Sequence, residues 1–166
     1  MTYTVLVTGS RTYDDEQEIR DALAPTIAAH GPENVTVRHG HCRKGADELI
    51  DRIATAWTGV TVQRRPADWA TCKGPQCTPH HRRQRRDGTT YCPAAGVIRD
   101  AEMVDEGAEE CLAFIDPCAK RGCRKARPHG SHGATATADL AEAAGIPTRR
   151  FPQETHQRHR PAPPRT

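Results

Sequence analysis

Aromatic side chains are scarce in this 166-residue chain. Phe, Tyr and Trp supply 4% of it, and hydrophobic residues of every kind only 36%. A chain of this length can still bury a core as one domain, but that core must be small and built mainly from Ala, Val and Leu. No apolar run approaches the ~20 residues of a membrane-spanning helix. The opening residues MTYTVLV carry neither the basic stretch nor the cleavage site of a secretory leader, so the expected location is the cytoplasm. The net charge of +3 is too slight for a general attraction to nucleic acid, and only local clusters of charge could supply one. Cysteine, by contrast, is plentiful. Seven of them in a cytoplasmic protein point to metal or free thiols rather than disulfides.

What the chain does contain is an alternation of short β-branched runs and helical stripes. Strands are expected at Thr2–Val7, Val35–Val37, Val60–Val62, Cys111–Ile115 and Ile146–Phe151. Between them, Ile19, Ala22, Leu23 and Ile27 form one helical stripe, with Asp14 as its expected N-cap and Gly31-Pro32 as its stop. Leu49, Ile50, Ile53, Ala54 and Trp57 form a second, Ile98 and Ala101 belong to a third, and Ala134–Ala144 is an Ala-rich fourth. Five strands alternating with four helices predict an α/β fold, a Rossmann-like three-layer sandwich on a mainly parallel five-stranded sheet. Residues 66–93 break the pattern with prolines, cysteines and the cluster HRRQRR, and are expected to be an insertion after the third strand. Residues 152–166, rich in Pro, His and Arg, are expected to be a disordered tail. The organisation expected is thus one domain over 1–151, insertion included.

Three Gly-containing turns follow strand candidates: Thr8–Arg11 (TGSR), His39–Asp47 (HGHCRKGAD) and Gly130–Thr135 (GSHGAT). A parallel sheet places all such turns along its carboxyl edge, where ligands of these folds sit. A helix start adds unpaired N–H groups and the positive end of a dipole, a seat for phosphate or carboxylate.

Together with PADW (Pro66–Trp69), the stretch Ala95–Met103 (AGVIRDAEM) and AGIP (Ala144–Pro147), these motifs make the chain resemble the YspA, cpYpsA-related SLOG family (DUF2493), a Rossmann-like group found in bacteria and phages. Phosphoribohydrolases that activate cytokinins belong to the same superfamily. The resemblance runs from about residue 3 to 151 outside the insertion, and implies binding of a nucleotide-derived ligand. Carried over position by position, the ligand contacts would be Gly9, Ser10 and Arg11 in the first loop and Gly40, Lys44, Gly45, Ala46 and Asp47 in the second. Arg99 would contribute from the third helix, and Ser131, His132 and Gly133 from the last loop. The family usually has Asn at the place of Asp100, and the glutamate of the phosphoribohydrolases is replaced here by Thr137. Asp47 could contact a ribose hydroxyl or orient its own loop.

The insertion reads Cys72-x4-Cys77-x2-His80-His81, then Cys92. Thiolates and an imidazole are the donors of a structural zinc site, and a segment with so little apolar content needs some such source of order. The fourth ligand is His80 or His81, with the spacing leaning to His80. Cys118, Cys123, His129 and His132 form a second candidate, in competition with a ligand role for His132. Cys42 and Cys111 read as a loop thiol and a buried strand residue. The expected function is therefore a sensor or effector domain for a nucleotide or an ADP-ribose-type ligand, stabilised by zinc. Two alternatives stand beside it. One is a nucleotide-processing hydrolase using Asp47, Asp100 or Asp116, although no nucleophile-plus-base pair is apparent. The other is a nucleic-acid-binding module using Arg82, Arg83, Arg85 and Arg86.

Overall fold

The computed structural model describes residues 1–152; the expected tail, from 153 on, lies outside them. In chain order the elements are β1 (Tyr3–Gly9), α1 (Glu16–His30), β2 (Val35–His39), α2 (Ala46–Ala56), β3 (Thr61–Arg64), β4 (Arg83–Gln84), β5 (Thr90–Tyr91), α3 (Ala95–Asp105), β6 (Glu110–Phe114), α4 (His132–Ala143) and β7 (Thr148–Phe151). Five strands form one parallel sheet in the order β3-β2-β1-β6-β7. Strand order therefore reverses between β1 and β6, and a crevice opens at such a point in doubly wound folds.

The alternation of side chains along a strand distributes the core over both faces of the sheet. Val5 and Val7 of β1, with Leu112 and Phe114 of β6, pack against Ile19, Leu23 and Ile27 of α1 and Ile50 and Ile53 of α2. Leu6 and Cys111 point the other way, to Met103 and Val104 of α3 and Ala141 of α4. The second layer is thinner because α4 offers mostly alanine. Burial pushes the Cys111 thiol up to about 12, so this cysteine acts as an apolar core residue.

The helix boundaries have local causes. Asp15, not Asp14, caps α1, its carboxylate accepting the Glu18 N–H at 2.9 Å. Gly31, at φ 79°, ends the helix by donating its N–H to Ile27 O; the positive φ is cheap for glycine alone. The carboxyl end of α3 is closed by the buried Arg38 of β2, which donates to the carbonyls of Met103 (3.2 Å) and Gly107 (2.7 Å), a favourable place for a cation. Within the insertion, β4 and β5 pair as a small antiparallel hairpin that no apolar alternation announces. Among the described residues no helix is long and apolar enough to cross a membrane.

His39 ends β2 in full burial. Its Nε2 lies 3.1 Å from Asp51 Oδ1, while Nδ1 accepts the His41 N–H at 3.2 Å. An imidazolium has no lone pair for that amide, and burial outweighs the Asp51 carboxylate, lowering the pKa from 6.5 to about 4. Between those values an unfolded chain takes up a proton that the folded chain refuses, so stability falls as pH drops through this window. The full shift corresponds to roughly 3 kcal/mol. Urea denaturation of wild type and His39→Gln between pH 7 and pH 4 should show the steeper loss in wild type; parallel profiles would contradict this.

Candidate functional site

The three glycine corners lie at the carboxyl ends of β1, β2 and β6, and they touch. Ser10 donates its backbone N–H to Phe114 O (2.8 Å), and its own carbonyl accepts from Tyr13 (3.2 Å) and Ala46 (3.1 Å). Its Oγ accepts the Asp116 N–H at 2.8 Å and lies 2.5 Å from Ser131 Oγ. One serine, 3% exposed, thus holds the first corner to the start of α2, to the end of β6 and to the start of α4.

This closeness explains two glycines. A Cβ on Gly9 would fall 2.1 Å from Ala46 Cβ, and one on Gly45 would fall 2.3 Å from Ser10 O. Gly45 also sits at φ 69°, so side chains are refused on both counts. The amino end of α2 is consequently packed into the first corner, with Ala46 fully buried and its amide used by Ser10.

An open cleft of about 340 Å³ lies over the β1–β6 reversal. It is lined by Gly9, Ser10, Arg11, Gly40, Asp47, Arg99, Ser131 and Gly133 from the expected set. Lys44, Gly45, Ala46 and His132 are not on its wall. Gly45 and Ala46 are spent on packing α2 against the first corner, Lys44 is exposed, and the His132 ring is directed at Cys123 Sγ, 3.2 Å away. Gly96 and Val97 of α3, Ala134 of α4, Trp69 and Pro93 also line it. The sequence signal for these was the Ala95-Gly96 pair opening a helix just after a proline.

Two helices therefore open into one cleft. Neither α3 nor α4 has a side-chain N-cap. The first intrahelical bonds are Ile98 N–H to Ala94 O and Thr135 N–H to Ser131 O. The amides of Gly96 and Val97, and of Gly133 and Ala134, precede them and have no carbonyl one turn back. Ser131, the residue placed to cap α4, gives its hydroxyl to Ser10 instead.

The charged residues around the cleft are mostly committed. Arg99 binds the carbonyl of Gly40 and that of Arg65 (2.7 Å) and pairs with Asp100 (2.7 Å). Its guanidinium lies where a Cβ of Gly40 would be, 2.3 Å from Nη1, so Gly40 is a seat for Arg99. Asp47 is buried and accepts the Cys42 N–H at 2.9 Å. Burial raises its pKa, against the Cys42 bond and Arg99. Of the two roles open to Asp47, loop orientation has a visible partner. Asp116 accepts from Thr12 Oγ1 at 2.7 Å, and Thr137 is buried with its hydroxyl on Gly133 O. Arg11 stands exposed at the mouth.

In the insertion, Cys72, Cys77, His81 and Cys92 converge, each pair of donor atoms within 4.8 Å. Cys77 and Cys92 sulfurs are 3.6 Å apart, and His81 Nε2 is 3.2 Å from Cys72 and 3.4 Å from Cys92. Tetrahedral zinc has edges of about 3.8 Å between sulfurs and about 3.5 Å between sulfur and nitrogen, from its bond lengths. The fourth residue is His81, not His80 as the spacing favoured: His80 takes a left-handed φ of 65° in the turn, which leaves its neighbour directed at the sulfurs. The hydrogen bond to His81 lowers the Cys72 thiol to about 7. This group could hold a metal ion, and Cys92 stands three residues before Ala95, the first residue of α3. His39, His41 and Asp51 also lie close together, but both His39 nitrogens already have hydrogen-bond partners. In the arginine cluster, Arg82 binds Ala70 O and Thr90, and Arg85 lies over the Tyr91 ring at 4.7 Å.

Ser10→Ala should cost roughly 1–3 kcal/mol, because the buried Asp116 amide loses its acceptor and Ser131 its partner. Urea midpoints at unchanged slope measure this; a loss under about 0.5 kcal/mol, typical of a surface substitution, would show that the corners do not depend on it.

Comparison with known proteins was made against this geometry. The sequence profile of the YspA, cpYpsA-related SLOG family matches residues 3–71, which hold the first two corners and the start of the insertion. Gene 61 protein of Mycobacterium phage D29 is 36% identical over 114 residues, 66% of this chain and 74% of the phage protein. No solved structure matches the chain. The family profile, and a relative matched along 74% of its length at this identity, establish that the chain belongs to the YspA, cpYpsA-related SLOG family.

Proposed function

We propose that the cleft binds a nucleotide-derived phosphorylated ligand, a nucleotide or an ADP-ribose-type molecule, as a sensor or effector domain. The observation that carries this reading is the pair of uncapped helix starts, Gly96–Val97 and Gly133–Ala134, lining one cleft at the strand reversal. Amides of this kind, at the positive ends of two dipoles, suit the oxygens of a phosphate or diphosphate. Arg11 at the mouth adds a cation able to form charge-assisted bonds. Trp69, which lines the cleft beside the start of α3, offers a surface against which a base can stack. Family membership supports the same ligand class.

The hydrolase alternative is less well supported. Asp47, Asp100 and Asp116 hold an amide, a guanidinium and a hydroxyl respectively, so each of the three carboxylates is already engaged within the protein. The nucleic-acid alternative loses support because Arg82 and Arg85 are used inside the insertion.

Gly133 is the position for a test, since nothing lies within 4 Å of an added Cβ. Gly133→Leu should fold as well as wild type while filling the lip of the cleft. Thermal unfolding with AMP, ADP, ATP and ADP-ribose should raise the wild-type Tm with at least one of them. At a hundredfold excess over Kd the gain is about 2.7 kcal/mol, or about 5–10 °C. The variant should lose that shift. No shift with any of the four, or equal shifts in both proteins, would refute the reading.

For the insertion the proposal is a structural zinc held by Cys72, Cys77, His81 and Cys92. Cys77→Ser should lower zinc content by one ion per chain. It should also expose Lys73 and Arg83 to trypsin, while the far-UV circular dichroism of the sheet is kept. Unchanged zinc content and unchanged proteolysis would remove zinc from this site.

A further inference from the structure

We infer that the loop joining β6 to α4 holds a second zinc ion, bound by Cys118, Cys123, His129 and His132, and that this ion anchors the first residue of α4. The inference goes beyond the ligand reading and does not rest on it.

The four donor atoms lie within 4.8 Å of one another. Cys123 Sγ is 3.4 Å from His129 Nε2 and 3.2 Å from His132 Nε2, close to the sulfur–nitrogen edge of about 3.5 Å in tetrahedral zinc. The imidazole of His129 is set up for ligation through Nε2. Its Nδ1 lies 3.0 Å from Gly130 O, a carbonyl that can only accept, so Nδ1 carries the proton and Nε2 keeps its lone pair. Metal-bound histidines are oriented in this way by a backbone carbonyl behind the ring.

The backbone brings the donors together without help from the side chains. Pro117 and Gly130 form an antiparallel bridge. Cys118 N–H donates to His129 O at 2.8 Å, and Ser131 N–H to Asp116 O at 2.9 Å. His132 then follows as the first residue of α4. Between the two sides of this bridge the chain reads CAKRGCRKARPH, which has five cationic side chains and only alanine and proline as apolar content. Burial cannot order such a segment; ligation by two thiolates and two imidazoles can. Buried Cys118 and the partly buried Cys123, His129 and His132 form the only inward-facing group it has among the described residues.

The assignment also settles which way His132 works. With its ring on the metal, it positions the α4 amides that line the cleft and does not itself touch a ligand there.

Protein made without a metal-affinity tag and passed over a chelating resin should contain two zincs per chain. Zinc-edge X-ray absorption on that protein should fit five sulfur and three nitrogen ligands per two ions. Cys118→Ser combined with Cys123→Ser should leave one zinc with three sulfurs and one nitrogen. One zinc per chain in wild type with three sulfurs and one nitrogen, no zinc at all, or a zinc content unchanged by the double substitution would each overturn the inference. The wild-type measurement decides the matter even if the variant does not fold.

Discussion

Ser10 is bonded to each of the other two corners at once. Its carbonyl takes the amide that opens α2, its amide goes to the last residue of β6, and its hydroxyl joins the next loop to the start of α4. Because the residue is buried, each of these bonds is made where water cannot substitute, so each is costly to lose. The carboxyl edge of the sheet is in this sense one bonded unit, and the cleft is the space left over when that unit closes.

Closure consumes the backbone amides that a glycine-rich turn usually offers to a phosphate. The Ala46 amide and the Ser10 amide are both engaged inside the protein, and Gly9 and Gly45 are glycines so that the backbone can come this near. A glycine-rich turn before a helix is often read as a phosphate cradle, yet two of these turns act mainly as packing surfaces. What remains to line the cleft are the starts of α3, whose N-cap Ala94 has no side-chain acceptor, and of α4, whose Ser131 hydroxyl is turned to Ser10. On the proposed reading, the amides offered to an anion belong to the later βα units and not to the first.

The sheet and its helices were legible because β-branched runs and helical stripes are short-range signals, and Val5–Val7 or Leu49–Ala54 carry them strongly. That three corners share an edge followed from parallel topology. The misses have two causes: contacts between segments far apart in sequence, and choices that turn on a single residue of local phase. Nothing near Gly45 says that its neighbour's amide will be used by Ser10. The choice of Asp15 over Asp14 turns on one residue of phase at the start of α1. His81 supplants His80 because His80 takes the left-handed turn, and spacing alone does not show this. The start of α4 at His132, ahead of the apolar pattern that begins at Ala134, is fixed by the Pro117–Gly130 bridge, which has no local signature. The family resemblance extended over most of the chain, whereas the profile covers residues 3–71; the later corner at Gly130–Thr135 is placed by the fold itself.

The two Cys/His groups stand in corresponding places. One ends three residues before the first residue of α3, and the other includes the first residue of α4. A core this poor in aromatics can hold five strands, but it has little to spare for the long polar segments 66–93 and 116–131. Left to themselves, such segments would let the first turns of α3 and α4 fray, because helix ends are weak where no cap is made. A phosphate binding at frayed ends would first have to order them, and that entropy would be subtracted from its affinity. Zinc ligation would meet that cost at folding, before any ligand arrives. On the reading proposed here, the cysteines of these two groups supply the rigidity that an alanine-rich second layer cannot, at the two helix starts where the cleft requires it.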